Sequence, residues 1–316
     1  LPSLKRIAGA EIRAIATATG LSATHVGKKF DAEYVTSDYN EILTDPNIDA
    51  VLIATRHNLH AQLVIEGMKH EKAVFVEKPL ALSQEELDKV IEVQQETGGQ
   101  VMVGFNRRFS PLAVEVKEFF ANRKGPICIV YRVNAGFVPK DHWIQDEKQG
   151  GGRIIGEVCH FVDFMQYLTD SVPQAVFAQP VCDATGTLIP HDNVMITLQF
   201  ENGSIGTISY LSNGDVAYGK ERVEIFGDGA VALIDDFKRV EISCKGKRQK
   251  LGGNVLASQK KGHREELAAF VEAIQNGKPL PIPFAESVIT TKTTFRIIES
   301  ISEGKSKRAK DERRFQ

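Results

Sequence analysis

The chain has 316 residues, of which 42% are hydrophobic and 25% charged, the composition of an ordinary soluble globular protein with room for about two domains. A formal net charge of −2 argues against a nucleic-acid or anionic-membrane partner. No apolar run approaches the roughly 20 residues of a membrane helix, and no signal peptide is visible. The cysteines Cys128, Cys159, Cys182 and Cys244 are scattered, with no CxxC pair. Neither a zinc knuckle nor a disulfide framework is implied, no metal is expected, and a reducing cytoplasm fits best. The chain starts at Leu1 without an initiator Met, as a fragment or a trimmed chain would.

Strand and helix signals alternate from Glu11 to Phe105. Glu11 to Ala16 reads as a strand, Ser22 to Phe30 as a helix and Ala32 to Val35 as a short strand. A short helix, Asp38 to Leu43, stops at Asp45 and Pro46; a buried strand, Ala50 to Ala54, and a helix, His60 to Lys69, follow. The strand in AVFVEKP (Ala73 to Pro79) is apolar on both faces, as in a buried parallel sheet. Ser83 and Glu86 have capping-box spacing before a helix from Gln84 to Thr97, and a strand runs from Val101 to Phe105. The alternation predicts a doubly wound Rossmann-type parallel sheet in residues 1–109, incomplete at its N-terminus.

A helix is expected from Leu112 to Asn122, and then the character changes. Strand signals fall at Ile127 to Ala135, Ala175 to Pro180, Asn193 to Phe200, Ser204 to Tyr210, Arg222 to Phe226, Ala230 to Ile234 and Arg239 to Ser243. Asn202-Gly203 and Asp228-Gly229 are hairpin signals. One helix interrupts, Arg153 to Leu168, and two close the region, His263 to Asn276 and Ala285 to Ser302. Residues 110–304 are therefore expected to form an α+β domain with a large, mostly antiparallel open sheet and helices on one face. Residues 305–316 read as a solvated charged tail.

Four clusters stand where chemistry can sit. Three follow predicted parallel strands: Thr55-Arg56-His57-Asn58, with His60 beyond it; Glu77-Lys78-Pro79; and Asn106-Arg107-Arg108. The carboxyl edge of such a sheet binds ligands. Taken alone, Lys78 is as readily a solvent lysine at a polar strand end. The fourth cluster is Gly150-Gly151-Gly152 before the helix, whose apolar stripe is Ile154, Val158, Phe161, Val162 and Met165. Gly156, His160 and Asp163 lie on its other side, with Glu157 at the border. The glycines either free helix N–H groups for an anion or form a flexible loop. The GxGxxG loop of a dinucleotide site is absent, and Thr17 stands where an acid usually follows the second strand.

Together these residues resemble the Gfo/Idh/MocA family of nicotinamide-dependent oxidoreductases, from Leu1 to about Ser302. The resemblance is carried by EKP at Glu77-Lys78-Pro79 and by ATxxxxH from Ala54 to His60. NRRF from Asn106 to Phe109 and the glycine run with His160 complete it. Two departures stand out: the family's usual aspartate four residues before the histidine is Gly156, with Glu157 beside it, and the glycine-rich loop would precede Leu1.

The resemblance implies hydride transfer between a nicotinamide and a secondary alcohol of a sugar, nucleotide sugar or cyclitol. His160 would be the base and Lys78 the donor to the reacting oxygen, with Glu157 or Asp163 orienting His160 or binding a hydroxyl. Lys140, His142 and Trp143 would line the substrate pocket. Thr17, Ala54, Thr55, Arg56, His57, Asn58, His60, Glu77, Pro79, Asn106 and Arg107 would lie along the cofactor. Thr17 leaves NAD or NADP open. The alternative is a non-catalytic ligand-binding or regulatory module of the same fold. A homo-oligomer, dimer or tetramer, is implied through the open sheet face.

Overall fold

The computed structural model describes residues 2–17, 26–182, 188–253 and 258–303. The start of the Ser22 to Phe30 helix and the tail beyond 303 lie outside them; residues 26–30 are helical. Strand β1 is Ala14–Ala16 and β2 Tyr34–Thr36. Helix α1 (Tyr39–Thr44) is capped by the Asp38 side chain, which accepts from Asn40 N. The unit continues as β3 (Ala50–Ile53), α2 (His60–Lys69), β4 (Ala73–Val76), α3 (Gln84–Thr97) and β5 (Val101–Val103). Every residue of β4 and β5 is buried, as a strand covered on both faces requires. Ser83 Oγ caps α3 by accepting from Glu86 N, while the Glu86 carboxylate reaches back to Leu82 N at 2.8 Å. The capping box therefore closes one residue earlier than its usual partner.

The described parallel strands form two sheets rather than one: β1-β2, and β3-β4-β5. All of these pairs are parallel.

Helix α4 (Pro111–Phe119) leads into an eight-stranded sheet. Its strands are β6 (Cys128–Asn134), β7 (Pro173–Pro180), β8 (Asn193–Phe200) and β9 (Ile205–Leu211), then β10 (Glu221–Gly227), β11 (Ala230–Asp235), β12 (Arg239–Cys244) and β13 (Lys247–Gly252). The order is β13-β12-β11-β10-β6-β9-β8-β7, antiparallel throughout except for the parallel pair β6 and β9. Strand β13, KRQKLG, has no apolar alternation and is not anticipated from sequence. The hairpin at Lys245 (φ 50°) and Gly246 (φ 72°) makes it, and its charges suit an exposed edge.

Helices α5 (Cys159–Thr169), α6 (His263–Gln275) and α7 (Phe284–Glu303) complete the chain. One core joins the inner face of the large sheet to α4, α5 and Ile297 of α7. A second surrounds β3 to β5 and includes Leu267 and Phe270 of α6. The cores thus do not divide in chain order: the C-terminal α6 returns to the parallel sheet, with Phe270 edge-on to Phe75 at 5.5 Å. Among the described residues no helix is long and apolar enough to cross a membrane.

Candidate active site

Beyond β4 the chain presents Glu77 and Lys78, half-buried, and a cis Lys78-Pro79 peptide. Lys78 Nζ donates to the carbonyl of Gly156 at 2.7 Å, joining the parallel sheet to the helical segment of the second unit. That segment starts where only glycine fits. A Cβ on Gly150 would sit 2.3 Å from Ile144 O, and Gly151 and Gly152 have φ of +71° and +72°. The glycine N–H groups are not free for an anion: Gly150 and Gly151 donate to Asp146 O, and Gly152 to Ile144 O. The loop from Ile144 to Gly152 folds on itself and consumes the donors, which corrects the anion-site option.

The expected uninterrupted α-helix is also corrected. Ile154–Val158 form a π turn before α5 begins at Cys159. The wider turn carries Glu157 to donors from three elements: Arg153 (2.9 Å), Tyr210 Oη (2.5 Å) and Lys220 Nζ (2.6 Å). Burial opposes its ionisation, but Lys220 and Arg153 hold the carboxyl down at about 2.

His160 is half-buried, and its Nδ1 is buried without a hydrogen-bond partner. Its ring meets the edge of Phe105, 6.2 Å between centroids. Burial, followed by the positive charges of Arg107, Lys78 and Lys220, pushes its pKa well below the ordinary 6.5. The imidazole is neutral at physiological pH, the form that accepts a proton.

The loop after β3 docks on the glycine loop. Ala54, Thr55 and Arg56 are exposed. Thr55 Oγ1 donates to Arg56 O at 3.2 Å. Arg56 bonds Gln149 Oε1 and lies over Trp143, and Asn58 N donates to Gln149 O at 3.2 Å. His57 Nδ1 donates to Gly150 O at 2.8 Å. Buried His60 ties the loop to the lysine turn through Pro79 O at 2.7 Å. His142 and Lys140 are exposed, whereas Trp143 is half-buried against His57. Thr17 is half-buried, with its N–H on Thr36 O at 3.2 Å.

Other expected site residues are committed elsewhere. Asn106 Nδ2 donates to Lys261 O at 2.7 Å, and Arg107 grips Glu221 through two bonds of 2.7 and 2.9 Å. Arg108 holds Asp163 at 2.6 to 3.0 Å and Glu286 at 2.6 Å. Asp163 is fully buried. Burial raises its pKa to about 6 against the opposing charge of Arg108. Both its oxygens are bonded to Arg108, so it braces the crossover between units rather than meeting a ligand. Sequence reasoning passed over Arg153, Tyr210, Lys220 and Glu221, whose partners lie far away along the chain. The last also accepts from Tyr131 Oη and Lys261 Nζ.

The exposed backbone at Ala54 to Arg56 and the polar end of β4 lie together at the carboxyl edge of the β3-β4-β5 sheet, the edge where open α/β sheets bind ligands. Gly104 keeps this edge narrow: a Cβ there would be 3.3 Å from both Glu77 Oε2 and Phe75. A lysine at the carboxyl edge of a parallel sheet, closed by a mixed sheet whose helix supplies a neutral histidine, defines a two-domain nicotinamide-dependent oxidoreductase.

The chain belongs to the Gfo/Idh/MocA oxidoreductase family. Its NAD-binding Rossmann-fold model matches residues 1–105 and its C-terminal alpha/beta-domain model residues 128–309. It is an NAD(P)-dependent dehydrogenase. Myo-inositol 2-dehydrogenase of Thermotoga maritima is 25% identical over 96% of this chain and 92% of its own. Scyllo-inositol 2-dehydrogenase (NAD(+)) of Bacillus subtilis is 27% identical over 89% and 84%. A probable dehydrogenase from Thermotoga maritima superposes with a TM-score of 0.78 at 25% identity, covering 96% of this chain and 92% of that one.

Proposed function

We propose that the enzyme interconverts a secondary alcohol and a ketone on a sugar or cyclitol, with Lys78 and His160 meeting the reacting oxygen. The observation that carries this is the bond from Lys78 Nζ to Gly156 O, four residues before His160. NAD or NADP, when bound, would supply the acceptor for the hydride that leaves the alcohol carbon. His160, neutral, takes the hydroxyl proton as the carbonyl forms. Lys78 donates a hydrogen bond to the oxygen and stabilises its developing negative charge. Glu157 holds Lys220 at the rim instead of orienting His160. Thr55, Asn58, Glu77 and Pro79 would flank the cofactor, and Lys140, His142 and Trp143 the far side of the substrate. The names of the inositol-dehydrogenase relatives support cyclitols as the first substrates to try.

Self-association through the large sheet is part of this reading. Phe177, Met195, Ile205, Val130 and Phe226 are exposed on its outer face. Exposed apolar side chains on five adjacent strands of one face suit an interface between copies.

The test is a spectrophotometric screen of cyclitols, sugars and nucleotide sugars with NAD and NADP, using the full-length protein. Reduction of a cofactor by at least one polyol is expected. Binding of NADH without turnover of any of them would replace this reading with a ligand-binding role.

A further inference from the structure

Gly156, whose carbonyl accepts from Lys78, also lies against the His57 ring. A Cβ at 156 would lie 3.0 Å from His57 Cε1 and 3.3 Å from its Nδ1. The imidazole from the parallel-sheet unit therefore fills the space a side chain at 156 would take. A carbonyl oxygen only accepts, so His57 Nδ1 carries the proton in its bond to Gly150 O. In the neutral ring this leaves Nε2 as an acceptor, and among the described residues nothing donates to it. Burial, and then the charge of nearby Lys78, pushes the His57 pKa down to about 4, so the ring is neutral in the working range. Trp143, edge-on at 4.9 Å, and His60, at 5.6 Å, brace it.

We infer that His57, which the family resemblance sets along the cofactor, is instead a specificity-determining residue: its Nε2 accepts a hydrogen bond from the substrate hydroxyl adjacent to the one being oxidised. Lys78 bonds the Gly156 carbonyl and His57 fills the space at its Cβ, so the two side chains are neighbours and would meet neighbouring oxygens of one substrate. The substrate class this selects is a vicinal diol. A neutral acceptor binds the second hydroxyl without bringing negative charge toward His160. The inference rests on the polyol chemistry proposed above.

The test uses full-length protein, a polyol that wild type oxidises and the same polyol lacking the adjacent hydroxyl. His57→Phe keeps a planar ring and removes the acceptor. It is expected to raise KM for the diol at least tenfold, to leave KM for the deoxy analogue within about twofold and to leave NADH affinity unchanged. His57→Gln, which returns an acceptor near Nε2, should recover part of the loss. Equal losses on both substrates, a parallel loss of NADH affinity, or no loss would overturn the inference.

His57→Gln also guards against misfolding of His57→Phe. Should the phenylalanine variant not fold, a KM change in the glutamine variant confined to the diol is expected, and equal changes on both substrates overturn the inference. Wild type that turns over no polyol would instead defeat the functional reading itself.

Discussion

Lys78 Nζ and the Gly156 carbonyl oxygen lie 2.7 Å apart, although 78 residues separate them in sequence. One end of the bond belongs to the turn after β4. The other belongs to the π turn that leads into the His160 helix. It brings an amine to an imidazole that burial and neighbouring cations keep neutral. A donor fixed by the fold beside a neutral base is what stabilisation of a developing oxyanion requires.

Removal of the amine should therefore act on turnover. Lys78→Ala is expected to lower kcat by about a hundred- to a thousandfold, typical for loss of one donor to a developing oxyanion. NADH affinity, read by fluorescence titration, should be nearly unchanged. A matching loss of cofactor affinity would reassign Lys78 to cofactor binding.

The pH profile should expose His160. Its folded pKa is depressed, so the base form persists below pH 6.5 and the acidic limb of kcat/KM falls below that value. His160→Ala should reduce turnover by about a hundred- to ten-thousandfold and abolish that limb. A limb unchanged in the variant would assign it to another group.

Stability should fall in acid for two reasons of the same sign. His160 has a folded pKa below its unfolded value of 6.5, so folding weakens as pH falls beneath 6.5 and the unfolded chain takes up the proton. Glu157, held at about 2 against an ordinary 4.5, gives stability that is present above 4.5 and lost as pH falls toward 2. Thermal melting at pH 7, 5 and 3 should show Tm falling in order, and Glu157→Gln should flatten the lower part of the curve.

Glu221 is the buried counter-ion of the crossover. Its carboxylate accepts from Arg107, Tyr131 and Lys261 and is fully screened from solvent. Glu221→Ala leaves Arg107 buried without its partner and is expected to cost about 3–5 kcal/mol. Urea unfolding monitored by circular dichroism measures it. A loss below about 1 kcal/mol would mean that Arg107 finds water or another acceptor.

The outer sheet face predicts the assembly. Met195→Lys with Ile205→Lys puts two charges among exposed apolar residues of β8 and β9. Sedimentation should shift from oligomer to monomer at micromolar concentration while the circular dichroism spectrum is retained. An unchanged oligomer would remove this face as the interface.

The sequence by itself determined the elements and the order of the clusters. The apolar run of β4, the capping signals of α3 and the hairpin glycines are local, and local physics fixes them. So are the three strand-end clusters, because a strand's end is visible where its apolar pattern stops. Tertiary structure alone decided the partnerships. Glu157 reads as a neighbour of His160 along a regular helix; the π turn sends it instead to Tyr210 and Lys220, 53 and 63 residues away. Asp163 reads as a residue that orients His160 or binds a hydroxyl, yet Arg108 draws it into a buried pair. Strand β13 has no pattern of its own and exists because β12 offers an edge. A buried charge takes whichever counter-charge the fold delivers, and that choice is made by long-range packing that periodicity does not record.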